Sequence, residues 1–283
     1  AELSANHNGD LGRAHAIMEA AKEAGADAVK LQTYTADKIT IDHDGPDFRI
    51  EGGLWAGETL YSLYERAHTP WDWQARLFEK GRELGLVVFS SPFDHTAVDF
   101  LEELEAPAYK VASFELIDLP LIRKCAATGK PLIMSTGMAN LSEIGEAVSA
   151  AREAGAEEIA LLHCTSGYPT EPEDADIRTI PHLAAAFGVP AGLSDHTPGV
   201  GAPIASVALG GCIIEKHFTL SRADGGPDAP FSLEPDELKT LCENVNLAWR
   251  ALGRIRYDRS ESERGNVHFR RSLYVVEDVK AGE

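Results

Sequence analysis

Helix-like and strand-like segments alternate along this chain with glycine at the joints, and that rhythm limits the possible folds more than any other feature. Segment 13–26 (RAHAIMEAAKEAGA) has helical periodicity and stops at Gly25, and 27–32 (DAVKLQ) reads as a short strand. The pair recurs as helix 71–84 with strand 86–91, helix 95–105 with strand 107–112, and helix 118–128 with strand 131–135. It continues as helix 141–154 with strand 158–164, helix 179–187 with strand 189–194, and helix 199–209 with strand 211–216, and helix 235–252 closes the series. With the opening AELS this predicts eight strands. Gly25, Gly85, Gly129, Gly155, Gly188 and Gly210 each stand between a helix and the next strand, where a left-handed residue ends a helix at low cost. The strands are continuous apolar runs, as expected of parallel strands covered on both faces. Eight βα units in about 250 residues predict a (β/α)8 TIM barrel of the α/β class. A doubly wound open sheet is the alternative, but no GxGxxG follows a strand.

Two regions break the rhythm. Residues 36–70 form a long insertion after the second strand, with Trp55, Tyr61, Tyr64, Trp71 and Trp73 in it or beside it. Loops of this length in compact domains usually serve function, here as a cap over a ligand, and packing on the barrel rim is the alternative. Residues 254–283 begin as a charged, linker-like stretch and end in SLYVVEDVKAGE, which reads as a strand and turn opening another domain. The expected division is therefore 1–253 for the barrel and 254–283 for a linker and the start of a further domain.

Net charge is −19, which argues against a nucleic-acid partner, since a phosphate backbone needs a basic surface. A small anionic ligand stays open, because local charge at a site can oppose the global charge. No run of about 18 apolar residues offers a membrane span. No signal-peptide pattern opens the chain, and its abrupt start on strand-like residues suggests that a few residues precede it. Cys125, Cys164, Cys212 and Cys242 are widely spaced with no CxxC pair, the pattern of free thiols in a reducing cytoplasm.

Barrel chemistry sits at the C-terminal ends of the strands. Taken in order, those ends offer Glu2 with Asn6 and His7; Lys30 and Gln32; Ser90 and Ser91; Lys110, Ser113 and Glu115; Ser135 and Thr136; His163, Thr165 and Tyr168; Ser194, Asp195 and His196; Glu215, Lys216 and His217. Polar groups inside a barrel mouth cost several kcal/mol unless paired or bound. Lys30 and Lys110 with Ser91, Ser113, Ser135 and Ser194 make a cradle for phosphate, from two point charges and several hydroxyl donors. Internal salt bridges from the two lysines to Glu2 and Glu115 are the alternative. His196 and His217 on neighbouring strands suit a divalent metal such as Mn²⁺ that keeps positions open, and are too few for a structural zinc site. His7 and His163 compete for that role. Glu2, Glu115 and Glu215 are candidate acid/base groups.

The same residues lie in AELSANHNGD, DAVKLQTYTAD, FSSPFD, AYKVASFE, IMSTGM, LLHCTSGYPT, GLSDHT, IIEKHFTL and GGPDAPFSLEP. These nine segments, in this order over residues 1–252, resemble the sialic acid synthase family. SLYVVEDVKAGE resembles the start of that family's C-terminal antifreeze-like (SAF) domain. GGLW at 52–55, LYSLYERAHTPWDW at 60–73, Ser4 in SANHN, SFE at 113–115 and SRADGGPDAPFSLEP resemble the pseudaminic acid synthase subgroup.

The resemblance implies condensation of phosphoenolpyruvate with an open-chain acetamido sugar, giving a nonulosonic acid and phosphate. For the subgroup that sugar is 2,4-diacetamido-2,4,6-trideoxy-L-altrose. By motif, Lys30, Ser91, Lys110, Ser113, Ser135 and Ser194 match the phosphoenolpyruvate contacts, and His196 and His217 match the ligands of a divalent metal, Mn²⁺ or else Mg²⁺ or Co²⁺. Glu2, Glu115 and Glu215 match the carboxylates near the reacting atoms, and Gln32, Ser166 and Tyr168 match the sugar-facing positions. Ser166 stands where the family often has Asn. The family also implies a cytoplasmic, domain-swapped homodimer in which the antifreeze-like domain lends an arginine to the partner's site. N-acetylneuraminate and legionaminate synthases are the alternatives within the family. A metal-dependent hydrolase and a non-catalytic binding barrel are the alternatives outside it.

Overall fold

The computed structural model describes residues 1–283 and divides into two compact units, Ala1–Ala251 and Leu252–Glu283. In the first unit seven parallel strands pair in sequence order: β1 (Ala28–Thr33), β2 (Val87–Pro92), β3 (Tyr109–Val111), β4 (Leu132–Ser135), β5 (Ile159–Cys164), β6 (Ala191–Asp195) and β7 (Ile214–Lys216). The eighth expected strand contracts to one residue. Glu2 bridges in parallel to Lys30 on one side and to His217 on the other, and so joins the first strand to the last. Its N–H donates to the Lys216 carbonyl at 2.8 Å, and its own carbonyl accepts from Phe218 N–H at 2.9 Å. The ladder goes no further because Ser4 takes φ = 44° and the chain turns at once into a 3-10 helix, Ser4–His7.

Ten helices accompany the strands, among them α1 (Leu11–Ala24), α2 (Ala36–Ile39), α3 (Leu60–Ala67), α4 (Trp71–Leu84), α5 (His95–Glu103), α6 (Leu119–Ala126) and α7 (Leu141–Glu153). Then follow α8 (Thr179–Phe187), α9 (Gly201–Ala208) and α10 (Pro235–Leu252). Their starts are chemically marked. Asp10 accepts from Arg13 N–H at 2.6 Å ahead of α1, and Asn140 with Glu143 forms a reciprocal capping box ahead of α7. Leu31, Leu101, Tyr109, Leu121, Ile122 and Leu161 are fully buried between sheet and helices. Each such side chain contributes about 1.5–3 kcal/mol relative to exposure. Gly81 lets α4 lie against β2, since a Cβ there would meet Val88 Cγ2 at 2.1 Å.

The insertion is not bare loop. It holds α2, two 3-10 turns and α3, with an isolated bridge between Arg49 and Thr59. The second unit contains one helical turn (Glu261–Arg264) and a 3-10 turn (Val267–Phe269). The strand expected in SLYVVEDVKAGE is not formed: residues 272–276 have no β partner, and Leu273 is fully exposed. A lone strand has nothing to satisfy its backbone groups.

Candidate active site

Side chains alternate faces along a strand, and on β6 and β7 that sorts the polar residues into two sets. Ser194 pairs in register with Glu215, and its hydroxyl donates to Glu215 Oε1 at 2.9 Å. Asp195 pairs with Lys216, whose ammonium donates to Asp195 Oδ2 at 2.5 Å and to the Thr197 carbonyl. Asp195 and Lys216 therefore satisfy each other and stand apart from the site.

The two lysines expected to cradle phosphate converge. Lys30 and Lys110 are 5% and 1% exposed. Lys30 Nζ lies 2.6 Å from Glu2 Oε2, 3.5 Å from Glu215 Oε1 and 3.5 Å from Ser91 Oγ. Lys110 Nζ lies 3.7 Å from the same Glu215 oxygen. Internal ion pairing thus exists, but its carboxylates are Glu2 and Glu215, and Glu115 makes no ion pair with either lysine. Ser135 ends β4 with its hydroxyl buried and unpartnered. Ser113 opens a 3-10 turn after β3, and its hydroxyl accepts from Gly137 N–H at 3.1 Å. A Cβ on Gly137 would lie 2.2 Å from Ser166 Oγ and 2.7 Å from Ser113 Oγ, so only glycine lets both hydroxyls meet there.

Three carboxyls with one chemistry take three environments. Burial raises Glu2 above its ordinary value in spite of the Lys30 ammonium beside it. Burial works against the Glu215 charge, but Lys110, Lys30 and the Ser194 hydroxyl outweigh it and hold Glu215 down at about 2. Burial lifts Glu115 to about 7, with one oxygen unpartnered. Burial also opposes the Lys30 charge, yet Glu2 and Glu215 keep its ammonium above the ordinary lysine value, whereas burial draws Lys110 below it. Glu115 is thus the carboxyl poised to exchange a proton near neutrality.

The imidazoles of His196 and His217 face each other with centroids 5.4 Å apart. His196 Nδ1 is 3.0 Å from the Thr165 carbonyl, a contact that puts the proton on Nδ1 and leaves Nε2 as the lone-pair nitrogen. His217 Nδ1 is buried and unpartnered, and burial drives this imidazole well toward its neutral form. Burial opposes the His196 charge, but Cys164 and the Thr165 carbonyl outweigh it and raise this imidazole above its ordinary value. A divalent ion would take the place of that proton, and two imidazoles so placed fit an ion that keeps open positions. No group of three or more His, Cys, Asp or Glu forms a closed site. His7 and His163 do not join this pair. His163 Nε2 contacts the Ala175 carbonyl at 2.7 Å, and His7 Nδ1 accepts from Gly9 N–H while its ring meets the edge of Trp73.

Gln32 reaches the same mouth, its amide donating to Glu2 Oε1 at 3.1 Å and Ser4 Oγ at 2.9 Å. Tyr168 lies 4.5 Å from the His196 ring. Sequence reasoning missed Asp228. It is buried, accepts from Ala5 N–H at 3.3 Å, and places Oδ2 3.9 Å from His217 Nδ1. Phe231 was missed as well, 4.9 Å from His217 and 5.4 Å from Tyr168. Both lie in GGPDAPFSLEP, a segment noticed for its resemblance without a role for its carboxylate.

Known proteins resemble this chain in sequence and in fold. Residues 17–257 match the NeuB family. The chain is 46% identical to pseudaminic acid synthase of Helicobacter pylori, over the whole chain and 84% of that protein. It is 37% identical to N,N'-diacetyllegionaminic acid synthase of Campylobacter jejuni, over the whole chain and 86% of that protein. The crystal structure of N-acetylneuraminic acid synthetase from Leptospira borgpetersenii in complex with citrate superposes with a TM-score of 0.84 at 31% identity, covering 96% of this chain and 90% of that one.

Proposed function

The chain belongs to the NeuB family of sialic acid synthases, and on that premise we propose that it condenses phosphoenolpyruvate with 2,4-diacetamido-2,4,6-trideoxy-L-altrose to give pseudaminic acid and phosphate. The observation that carries the chemistry is that two buried ammonium groups, Lys30 and Lys110, meet over one carboxylate, Glu215, at 3.5 and 3.7 Å. The choice of product rests on 46% identity over the whole chain with a pseudaminic acid synthase.

Phosphate would lie on Lys30 and Lys110, with Ser91, Ser113, Ser135 and Ser194 supplying hydroxyl donors. The unpartnered Ser135 hydroxyl is a donor in waiting. His196 and His217 would hold the divalent ion, with Mn²⁺ the first choice and Mg²⁺ or Co²⁺ the others. When bound, it supplies Lewis-acid polarisation of the sugar aldehyde. Gln32, Ser166 and Tyr168 face the sugar.

Carbon 3 of phosphoenolpyruvate attacks the aldehyde carbon, forming the new C–C bond while the aldehyde oxygen takes a proton from solvent. The cationic C2 takes up water, and Glu115 accepts the proton that the water loses and later returns it to solvent. Phosphate then leaves with its bridging oxygen and the proton of the C2 hydroxyl, and C2 becomes the keto carbon. Glu2 is the less apt base because Lys30 sits 2.6 Å away on its carboxylate.

Phosphoenolpyruvate brings more negative charge than this cradle has to spare, since Lys30 and Lys110 are already balanced by Glu2 and Glu215. The divalent ion would add positive charge, as would an arginine from a partner subunit in a domain-swapped homodimer. No helix is long and apolar enough to cross a membrane, and four unpaired thiols suit the cytoplasm. Phosphate release tests the chemistry. Release that requires both substrates and a divalent ion is expected, and release from phosphoenolpyruvate without the sugar would favour a hydrolase.

A further inference from the structure

Most aromatic residues of the insertion serve the barrel rim. Trp71 stacks on Phe100 with centroids 4.8 Å apart, and its indole N–H donates to the Tyr34 carbonyl. Tyr64 meets Tyr34 edge-on, and Trp73 meets His7. Trp55 does something else. Its indole N–H donates to the Pro227 carbonyl at 2.9 Å, which ties the insertion to the loop after β7. Its ring lies 5.7 Å from Tyr168 and 6.5 Å from Phe231. Tyr168 is in turn 4.5 Å from His196, and Phe231 is 4.9 Å from His217. A chain of ring contacts therefore runs from the two imidazoles through Tyr168 and the buried Phe231 to Trp55.

Beside Trp55 a cavity of about 630 Å³ opens, within the size range of small-molecule sites. Leu54, Trp55, Pro227 and Pro230 form its apolar wall, and Asn8, Glu58, Arg66 and Asp224 line its polar side, with Arg66 paired to Glu58 and Asp224 paired to Arg13. The sugar of the proposed reaction carries methyl groups on both acetamido substituents and at C6. N-acetylmannosamine has one acetamido methyl and hydroxyls at the distal positions. A sugar with its aldehyde end near His196 and His217 would have room for its distal carbons along these rings toward Trp55.

We propose that Trp55 is the specificity-determining residue for the sugar, its indole forming the apolar wall for the distal methyl and acetamido groups and the adjoining cavity receiving the C4 acetamido group. The proposal rests on the synthase function argued above. An apolar pocket discriminates by roughly 10- to 200-fold per group gained or lost, so one wall residue can separate the two sugars.

The test uses the full protein with Mn²⁺ and follows phosphate release with each sugar. Trp55→Ala is expected to raise KM for the diacetamido sugar by roughly tenfold or more, with kcat within about threefold and KM for phosphoenolpyruvate unchanged. kcat/KM for N-acetylmannosamine should hold or rise. Trp55→Phe keeps an apolar ring and should retain most of the selectivity. Leu54→Ser, on the same wall but exposed, should raise the same KM by roughly threefold and covers the case in which Trp55→Ala does not fold. Equal losses for both sugars, unchanged selectivity in Trp55→Ala and Leu54→Ser, or Trp55→Phe as unselective as Trp55→Ala would overturn the proposal. A wild-type protein that makes no phosphate with the diacetamido sugar would overturn it together with the function it rests on. Wild-type turnover with unaltered selectivity in the variants would overturn it alone.

Discussion

Lys30 Nζ lies 2.6 Å from Glu2 Oε2, and the same two residues also form the backbone bridge that joins the chain's start to β1. With its second bridge to His217, Glu2 closes the barrel, and through Lys30 it sets the charge of the proposed phosphate cradle. A buried ion pair adds little net stability, but removing one partner leaves the other charge stranded, at a cost of about 3–5 kcal/mol.

Lys30→Met and Lys110→Ala should thus differ. Lys30→Met strands Glu2 and lowers stability by about 3–5 kcal/mol, read by denaturant titration. Lys110 is already drawn below its ordinary value by burial, so Lys110→Ala should cost less than about 2 kcal/mol in stability. It should still raise KM for phosphoenolpyruvate and lower kcat/KM by roughly 100-fold or more, the scale of losing one charged transition-state contact. Ordinary kinetics in Lys110→Ala would remove it from the cradle.

Glu115 predicts a pH profile. A base must be ionised, and Glu115 is lifted to about 7 in the free protein, so kcat/KM should fall as pH drops below about 7. In Glu115→Gln that limb should vanish along with most of the activity. Stability moves the other way. With the folded value above the unfolded one, the folded state holds the extra proton between about 4.5 and 7. The stability contribution of Glu115 is therefore complete below that window and lost as pH rises through it. At pH 8, Glu115→Gln should be more stable than wild type by about 1–3 kcal/mol. A wild-type profile flat from pH 6 to 8 would discard Glu115 as the base.

Gly137→Ala should disturb two hydroxyls at once. Its Cβ would fall 2.2 Å from Ser166 Oγ and 2.7 Å from Ser113 Oγ, at a strain of about 1–3 kcal/mol. The expected outcome is a folded barrel with raised KM values for both substrates. Unchanged KM values would show that neither hydroxyl touches substrate.

His217→Gln should weaken Mn²⁺ binding by at least roughly tenfold, measured by calorimetry without substrates. The buried, unpartnered Nδ1 has no structural bond to lose. An unchanged Mn²⁺ isotherm would remove His217 as a ligand.

Much of this was readable in the sequence because a parallel barrel writes its site at regular intervals. Lys30, Lys110, Ser135, Ser194, His196, Glu215 and His217 all fall on or just after apolar strand runs. What the sequence withheld depends on contacts distant along the chain. Asp228 meets Ala5, 223 positions away, with no periodic signal to mark it. The division of labour among Glu2, Glu115 and Glu215 follows from which oxygen meets which ammonium, and no local motif encodes that. Nothing local distinguishes Trp55 from its aromatic neighbours in the insertion; its indole bond to the Pro227 carbonyl, 172 positions away, does. The opening segment has the composition of a strand, but the turn at Ser4 leaves only Glu2 in the ladder.

The central claim is met most directly by phosphate release from phosphoenolpyruvate with Mn²⁺, comparing 2,4-diacetamido-2,4,6-trideoxy-L-altrose with N-acetylmannosamine in the full-length protein. The account predicts release with the trideoxy sugar and little or none with N-acetylmannosamine. Release with N-acetylmannosamine alone, or with neither sugar in a folded, metal-loaded protein, would contradict it.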